Sequence, residues 1–273
     1  MKQVRIYVGK CFRVFLHERG WKIFISSAII AVIICMVLSA DTFKLYNDTR
    51  SGAFAVVCAC IWIGIFNSIQ SICKERDIIK REHRSGLHIS SYVVAHMIYE
   101  MVLCIVESIL VTAILCIFCH DTLPDEGVFL PAVIELWIAF FLTIYASDAL
   151  GLMVSAIVRT PNTAMTVMPF VLILQLVLSG FIFDLSGAME MIANVTVAKW
   201  SLNAICITAN VNEMKPQPIP ENFAIIKMLE DNFDNYEFTA GNFLMNCGIL
   251  IGFVLLYMII GIIALEFVDK DKR

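Results

Sequence analysis

Charge is scarce in this sequence. Only 16% of its 273 residues are Asp, Glu, Lys or Arg, against roughly 25% in a soluble domain. That deficit excludes a soluble enzyme, whose surface at this size must be polar. It excludes a nucleic-acid binder, because the net charge is −4 and such a protein presents a basic face. It excludes a disordered chain, which is defined by low hydrophobicity and high charge. Catalytic signatures are missing as well. There is no GxxxxGK[ST] to cradle ATP phosphates, no HExxH, no GxSxG and no dinucleotide-binding glycine pattern. Among the ten cysteines, Cys58–Ala59–Cys60 is a CxC inside an apolar run, which reads as packing rather than as a metal site. No catalytic residue, metal site or cofactor bound by the chain is expected.

What is abundant is apolar sequence: 59% of residues are hydrophobic and the mean hydropathy is +0.81. A membrane-crossing helix needs about 20 such residues, and six runs qualify: 23–40, 53–72, 93–119, 132–158, 163–185 and 243–265. None alternates as a barrel strand would. The expected fold is therefore an all-α integral membrane protein, a single domain over 1–273 with six transmembrane helices. The basic, amphipathic first 22 residues precede a run with no small-residue cleavage site, so a cleavable leader is not expected. Most cysteines fall inside the apolar runs and read as small hydrophobes. The one pairing left open is Cys119 with Cys206.

Lys and Arg set the orientation. Alternate sides of the six runs carry fifteen and five basic residues, which places both termini in the cytoplasm of a plasma-membrane protein. Residues 1–22 put Val4, Val8, Cys11, Phe12 and Phe15 on one helical face and bases on the other. Such a helix lies along the membrane surface beside anionic headgroups. The outer segment 186–242 is too long for a structureless loop. Short helices are expected near 184–190, over 199–209 and over 222–233, with Pro216, Pro218 and Pro220 in the most mobile part. Residues 266–273 form a cytoplasmic tail.

Two polar features stand out. Residues 73–92 form a charged cytoplasmic loop in which Glu75, Arg76, Asp77, Arg81, Glu82 and Arg84 offer i,i+3 and i,i+4 pairs. Ile78 and Ile79 face lipid or a partner, and Gly86 fits a helix C-terminal stop. The loop reads either as a solvated helix or as a docking helix that carries force between membrane and cytoplasm. The second feature is a set of acids inside the apolar runs: Glu100, Glu107 and Asp148, with Glu135 nearer an outer, wet interface. A mid-bilayer carboxylate costs roughly 2.5–3.5 kcal/mol. These groups either relay protons or bind cations, or are neutral and hydrogen-bonded to Ser108, Thr112, Ser147 or Ser155.

Glu75 to Glu82, followed by Ser85, Gly86 and Ser90–Tyr92, resembles the elbow of G-subfamily, type 2 ABC exporters. Leu178 to Phe183 resembles the Ser-Gly end of that family's fifth helix. Val197 to Ala204, then Asn212, Glu213 and Met214, is similar to its outer re-entrant helices, with Met214 where the family has Phe. The order agrees over 53–265. The resemblance implies a permease subunit of an ATP-driven exporter of drugs, peptides or lipid-like molecules. It implies a second permease protomer, identical or a sister chain, and an ABC ATP-binding subunit carrying ATP and Mg. With 22 residues ahead of the first span, that ATPase is expected on a separate polypeptide. The coupling surface would be Glu75, Arg76, Ile78, Ile79, Arg81, Glu82 and Gly86. The cavity would lie between helices two and five, with Asn67 and Gln175 as polar and Phe66 and Met168 as apolar wall. The alternatives are a proton-coupled secondary transporter using the buried acids, or a sensor or immunity subunit.

Overall fold

The structure is a computed structural model that describes residues 2–124, 126–183, 187–214 and 236–267. The helix expected over 222–233, the Pro216–Pro220 stretch, the turn at 184–186 and most of the 266–273 tail lie outside these residues.

The chain folds into α1 (Lys2–His17), α2 (Lys22–Val37), α3 (Tyr46–Ser68), α4 (Ser71–Lys74), α5 (Arg76–Arg84), α6 (Ile89–Phe118), α7 (Ala132–Ile157), α8 (Pro161–Val177), α9 (Ala188–Ala193), α10 (Val197–Thr208), a 3₁₀ turn at Val211–Glu213 and α11 (Ala240–Glu266). Among the described residues, four stretches are long and apolar enough to cross a bilayer: Tyr46–Lys74, Ile89–Phe118, Ala132–Ile157 and Ala240–Glu266. The expected six spans differ at two places. The first run yields only the 16 residues of α2, bent by 74° from α1. The fifth yields the 17 residues of α8, about 25 Å of helix at 1.5 Å per residue. Pro161 opens α8, Thr160 Oγ1 accepts the Thr163 N–H, and Leu178 already leaves helical geometry. Gly180 beyond it has φ +78°, a conformation glycine adopts without cost.

The core is the crossing of α3 with α7. A Cβ on Gly64 would strike the Ile144 carbonyl, and one on Gly151 would strike Ser68 Oγ. Bare backbone at these two positions lets the helices approach closely, as small residues do between membrane helices. Ser68 Oγ bridges the gap, contacting Gly64 O at 3.0 Å and Asp148 O at 2.8 Å. Around this pair α11, α6 and α10 pack on α7, while α2 and α1 lean on α6. Cys119 and Cys206 are both buried free thiols, so the open pairing is not made.

Candidate functional site

The polar elbow is built from the ends of three helices. Glu75 precedes α5 and Glu82 lies in its last turns, and both turn toward α1 and α6. Tyr7 Oη donates to Glu82 Oε2 at 2.6 Å, and Tyr92 Oη donates to Glu75 Oε2 at 2.9 Å. Lys10 Nζ stands 3.6 Å from Glu75 Oε2 and 4.0 Å from Glu82 Oε1. The Tyr7 and Tyr92 rings meet edge to face at 5.7 Å, with Lys10 over Tyr7 at 5.5 Å. Gln3 closes the strap: its Nε2 donates to Gly86 O and its Oε1 accepts from the His88 N–H. Half-exposed ion pairs contribute at most about 1 kcal/mol each, so the charge-assisted tyrosine bonds carry more of the attachment. Burial, followed by the Glu82 hydrogen bond, pushes the Tyr7 pKa up and keeps its hydroxyl a donor.

A second attachment runs to α7. Arg76 is 8% exposed. Its Nη1 donates to Ala156 O at 2.8 Å and Val158 O at 2.9 Å, carbonyls freed at the end of α7. Ser155 Oγ accepts the Ile72 and Cys73 N–H groups across the break between α4 and α3. Ile79 is wholly buried. Glu75, Arg76, Ile79 and Glu82 therefore correct the sequence expectation. They face inward because α5 is short and must satisfy its ends against its neighbours. Asp77, Ile78 (37% exposed), Arg81 and Arg84 form its outward face. Gly86, at φ +101° with open space around it, is the expected helix stop.

The four acids within the apolar runs are held differently. Glu107 Oε1 accepts from Ser27 Oγ and Asn67 Nδ2, each at 2.7 Å, while its Oε2 is buried without a partner. The expected partners Ser108, Thr112, Ser147 and Ser155 are not the ones it uses. Both carboxyl oxygens of Asp148 are buried and unpartnered. Glu100 is 4% exposed and makes no hydrogen bond among the described residues. Glu135, expected to be wet, is fully buried. It accepts the Val128, Phe129 and Leu130 N–H groups and so organises the turn before α7.

The four cavity candidates do not come together. Asn67 and Phe66 line a cavity of about 500 Å³ between α1, α3 and α6, at whose edge Met165 replaces the buried Met168. Gln175 lies elsewhere: its Oε1 accepts the Val197 and Ala198 N–H groups and caps α10. The capping role depends on a segment twenty residues away, so polarity alone could not assign it. Sequence reading also missed Gln3, Tyr7 and Lys10. Their i, i+4, i+7 spacing is a polar stripe beside the apolar face of α1, and that stripe was the available signal.

The profile of the ABC-2 type transporter family matches residues 2–208, and that of the CDR ABC transporter family matches residues 232–273. An ABC transporter ATP-binding/permease protein of Mycobacterium tuberculosis is 27% identical over 161 residues, 58% of this chain and 19% of its own length. The chain thus spans about a fifth of that relative.

Proposed function

The chain belongs to the ABC-2 type transporter family as a multi-pass membrane protein, and from that premise we propose that it is the permease subunit of an ATP-driven exporter. It binds no nucleotide itself. An ABC ATP-binding component, carrying ATP and Mg, docks on the outward face of α5, and both termini lie on that cytoplasmic side of the plasma membrane. Two permease protomers, identical or sister chains, enclose the route for a drug, peptide or lipid-like molecule.

The observation that carries the reading is the double attachment of α5. Glu75 and Glu82 tie it to α1, and Arg76 ties it to the end of α7, while Ile78 and Arg81 stay free to meet a partner. A load on α5 is delivered to both the surface helix and the central helix pair, which is what tilting a bundle between two states requires. The test is co-expression with a candidate ABC ATP-binding subunit. Wild type should co-purify and show substrate-stimulated ATP hydrolysis. Ile78→Asp with Arg81→Glu should abolish co-purification, and Tyr7→Phe should retain it while uncoupling hydrolysis from transport. No complex with wild type, or transport unaffected by the double variant, defeats the proposal.

One observation favours a second reading, proton-coupled transport: Asp148 and half of Glu107 are buried without partners. Uphill transport that persists without ATP and is lost in Glu107→Gln would select it.

A further inference from the structure

We propose that the cavity between α1, α3 and α6 is a binding site for an ammonium group carried on an apolar stem, with Glu100 as its counter-ion. At about 500 Å³ it has the size of a small-molecule site. Glu18, Gly20 and Ile23, at the 74° bend between α1 and α2, are part of its lining.

Glu100 is the informative residue. It lines the cavity, is 4% exposed and has no hydrogen bond, whereas Glu107 has Ser27 and Asn67, and Glu135 has three backbone donors. A buried carboxyl group without a donor is either protonated or paired with a counter-charge, and a bound cation selects the ionised form. The lining does not supply one. Lys10 is already held by Glu75 and Glu82, and Lys74 lies exposed at the mouth. His96 turns its Nε2 to Cys11 Sγ at 3.9 Å. That thiol, its pKa pushed up to about 11 by burial and then by Glu75 and Glu100, stays neutral. Three carboxylates against two lysines also disfavour a phosphate or carboxylate ligand.

The lining is also aromatic. Tyr99 and Phe15 line the cavity 6.2 Å apart, and they are fixed from behind by Phe12 at 5.3 Å from Tyr99 and Phe24 at 5.9 Å from Phe15. A carboxylate and aromatic rings lining one cavity is the chemistry that holds alkylammonium groups through combined charge and cation–π attraction. The same chemistry is carried by a free organic cation and by the amine headgroup of a lipid.

The test is equilibrium binding of radiolabelled benzyltrimethylammonium to the full chain in phosphatidylglycerol nanodiscs, with empty discs as blank. No ATP or partner is present, so the outcome is separate from that of the ATPase co-purification. Glu100→Gln should weaken binding by about tenfold or more. Phe15→Leu should also weaken it. Neopentylbenzene, the neutral carbon isostere, should not compete. Discs containing phosphatidylethanolamine identify the source: reduced probe binding assigns the site to lipid headgroups, and unchanged binding assigns it to a free cation. Equal binding by Glu100→Gln and wild type, equal competition by the neutral isostere, or no binding above the blank overturns the proposal.

Discussion

Replacing Arg76 by Met is the sharpest test of how the elbow is held. Met keeps most of the apolar stem and removes the guanidinium, so lost packing is kept small. Two hydrogen bonds from Nη1 disappear, at 2.8 Å to Ala156 O and 2.9 Å to Val158 O. Hydrogen bonds from a charged donor contribute about 1.5–3 kcal/mol each. The two share one donor nitrogen, so they do not add fully, while the positive charge at the negative end of the α7 dipole adds a few tenths. A net loss of about 2–4 kcal/mol follows. In a chain of this size that is on the order of 5–10 °C in Tm. The assay is built into the molecule, because the ten cysteines are free and most are buried. Unfolding can be followed by a thiol-reactive fluorophore on heating. Cys73, whose N–H is held by Ser155 beside this latch, should also react faster at ambient temperature in the variant. Arg76→Lys should recover only part of the loss, since an ammonium does not reproduce the planar fork. A Tm within about 1 °C of wild type, with unchanged Cys73 reactivity, would refute the latch.

Gln175→Leu should destabilise the fold by about 1–2 kcal/mol, the cost of leaving the Val197 and Ala198 N–H groups without an acceptor. Measured by the same thermal assay, it should leave benzyltrimethylammonium binding unchanged, because Gln175 does not line the cavity. Gly64→Val should prevent accumulation of folded protein, because its side chain would collide with the α7 backbone at Ile144 and Asp148. Monodisperse, thermally stable protein on size-exclusion chromatography would contradict the close crossing of α3 and α7.

Much of this molecule is legible in one dimension because period and hydropathy are local. The α1 helix at Lys2–His17 follows from its amphipathic spacing, and the central spans α3, α6, α7 and α11 follow from uninterrupted apolar sequence. Gly86 at the end of α5 is a local signal too. The charged helix α5 is legible as a segment, whereas the facing of its side chains is not. Glu75, Arg76 and Glu82 are charged and so read as surface, yet each is satisfied by a group 17 to 82 positions away. Glu135 was misread for the same reason, its partners being backbone donors that no composition reveals.

By itself the sequence determined the solvent, the long spans α3, α6, α7 and α11 and the position of the charged helix α5. Each of these depends on the residue types within one segment. Only the tertiary structure decided which acids are satisfied and which are not. It set Glu107 against Ser27 and Asn67, gave Glu135 three N–H donors, and left Glu100 facing a cavity with an aromatic wall. A buried carboxyl group is defined by what surrounds it in space, and in a helical bundle those neighbours come from other helices.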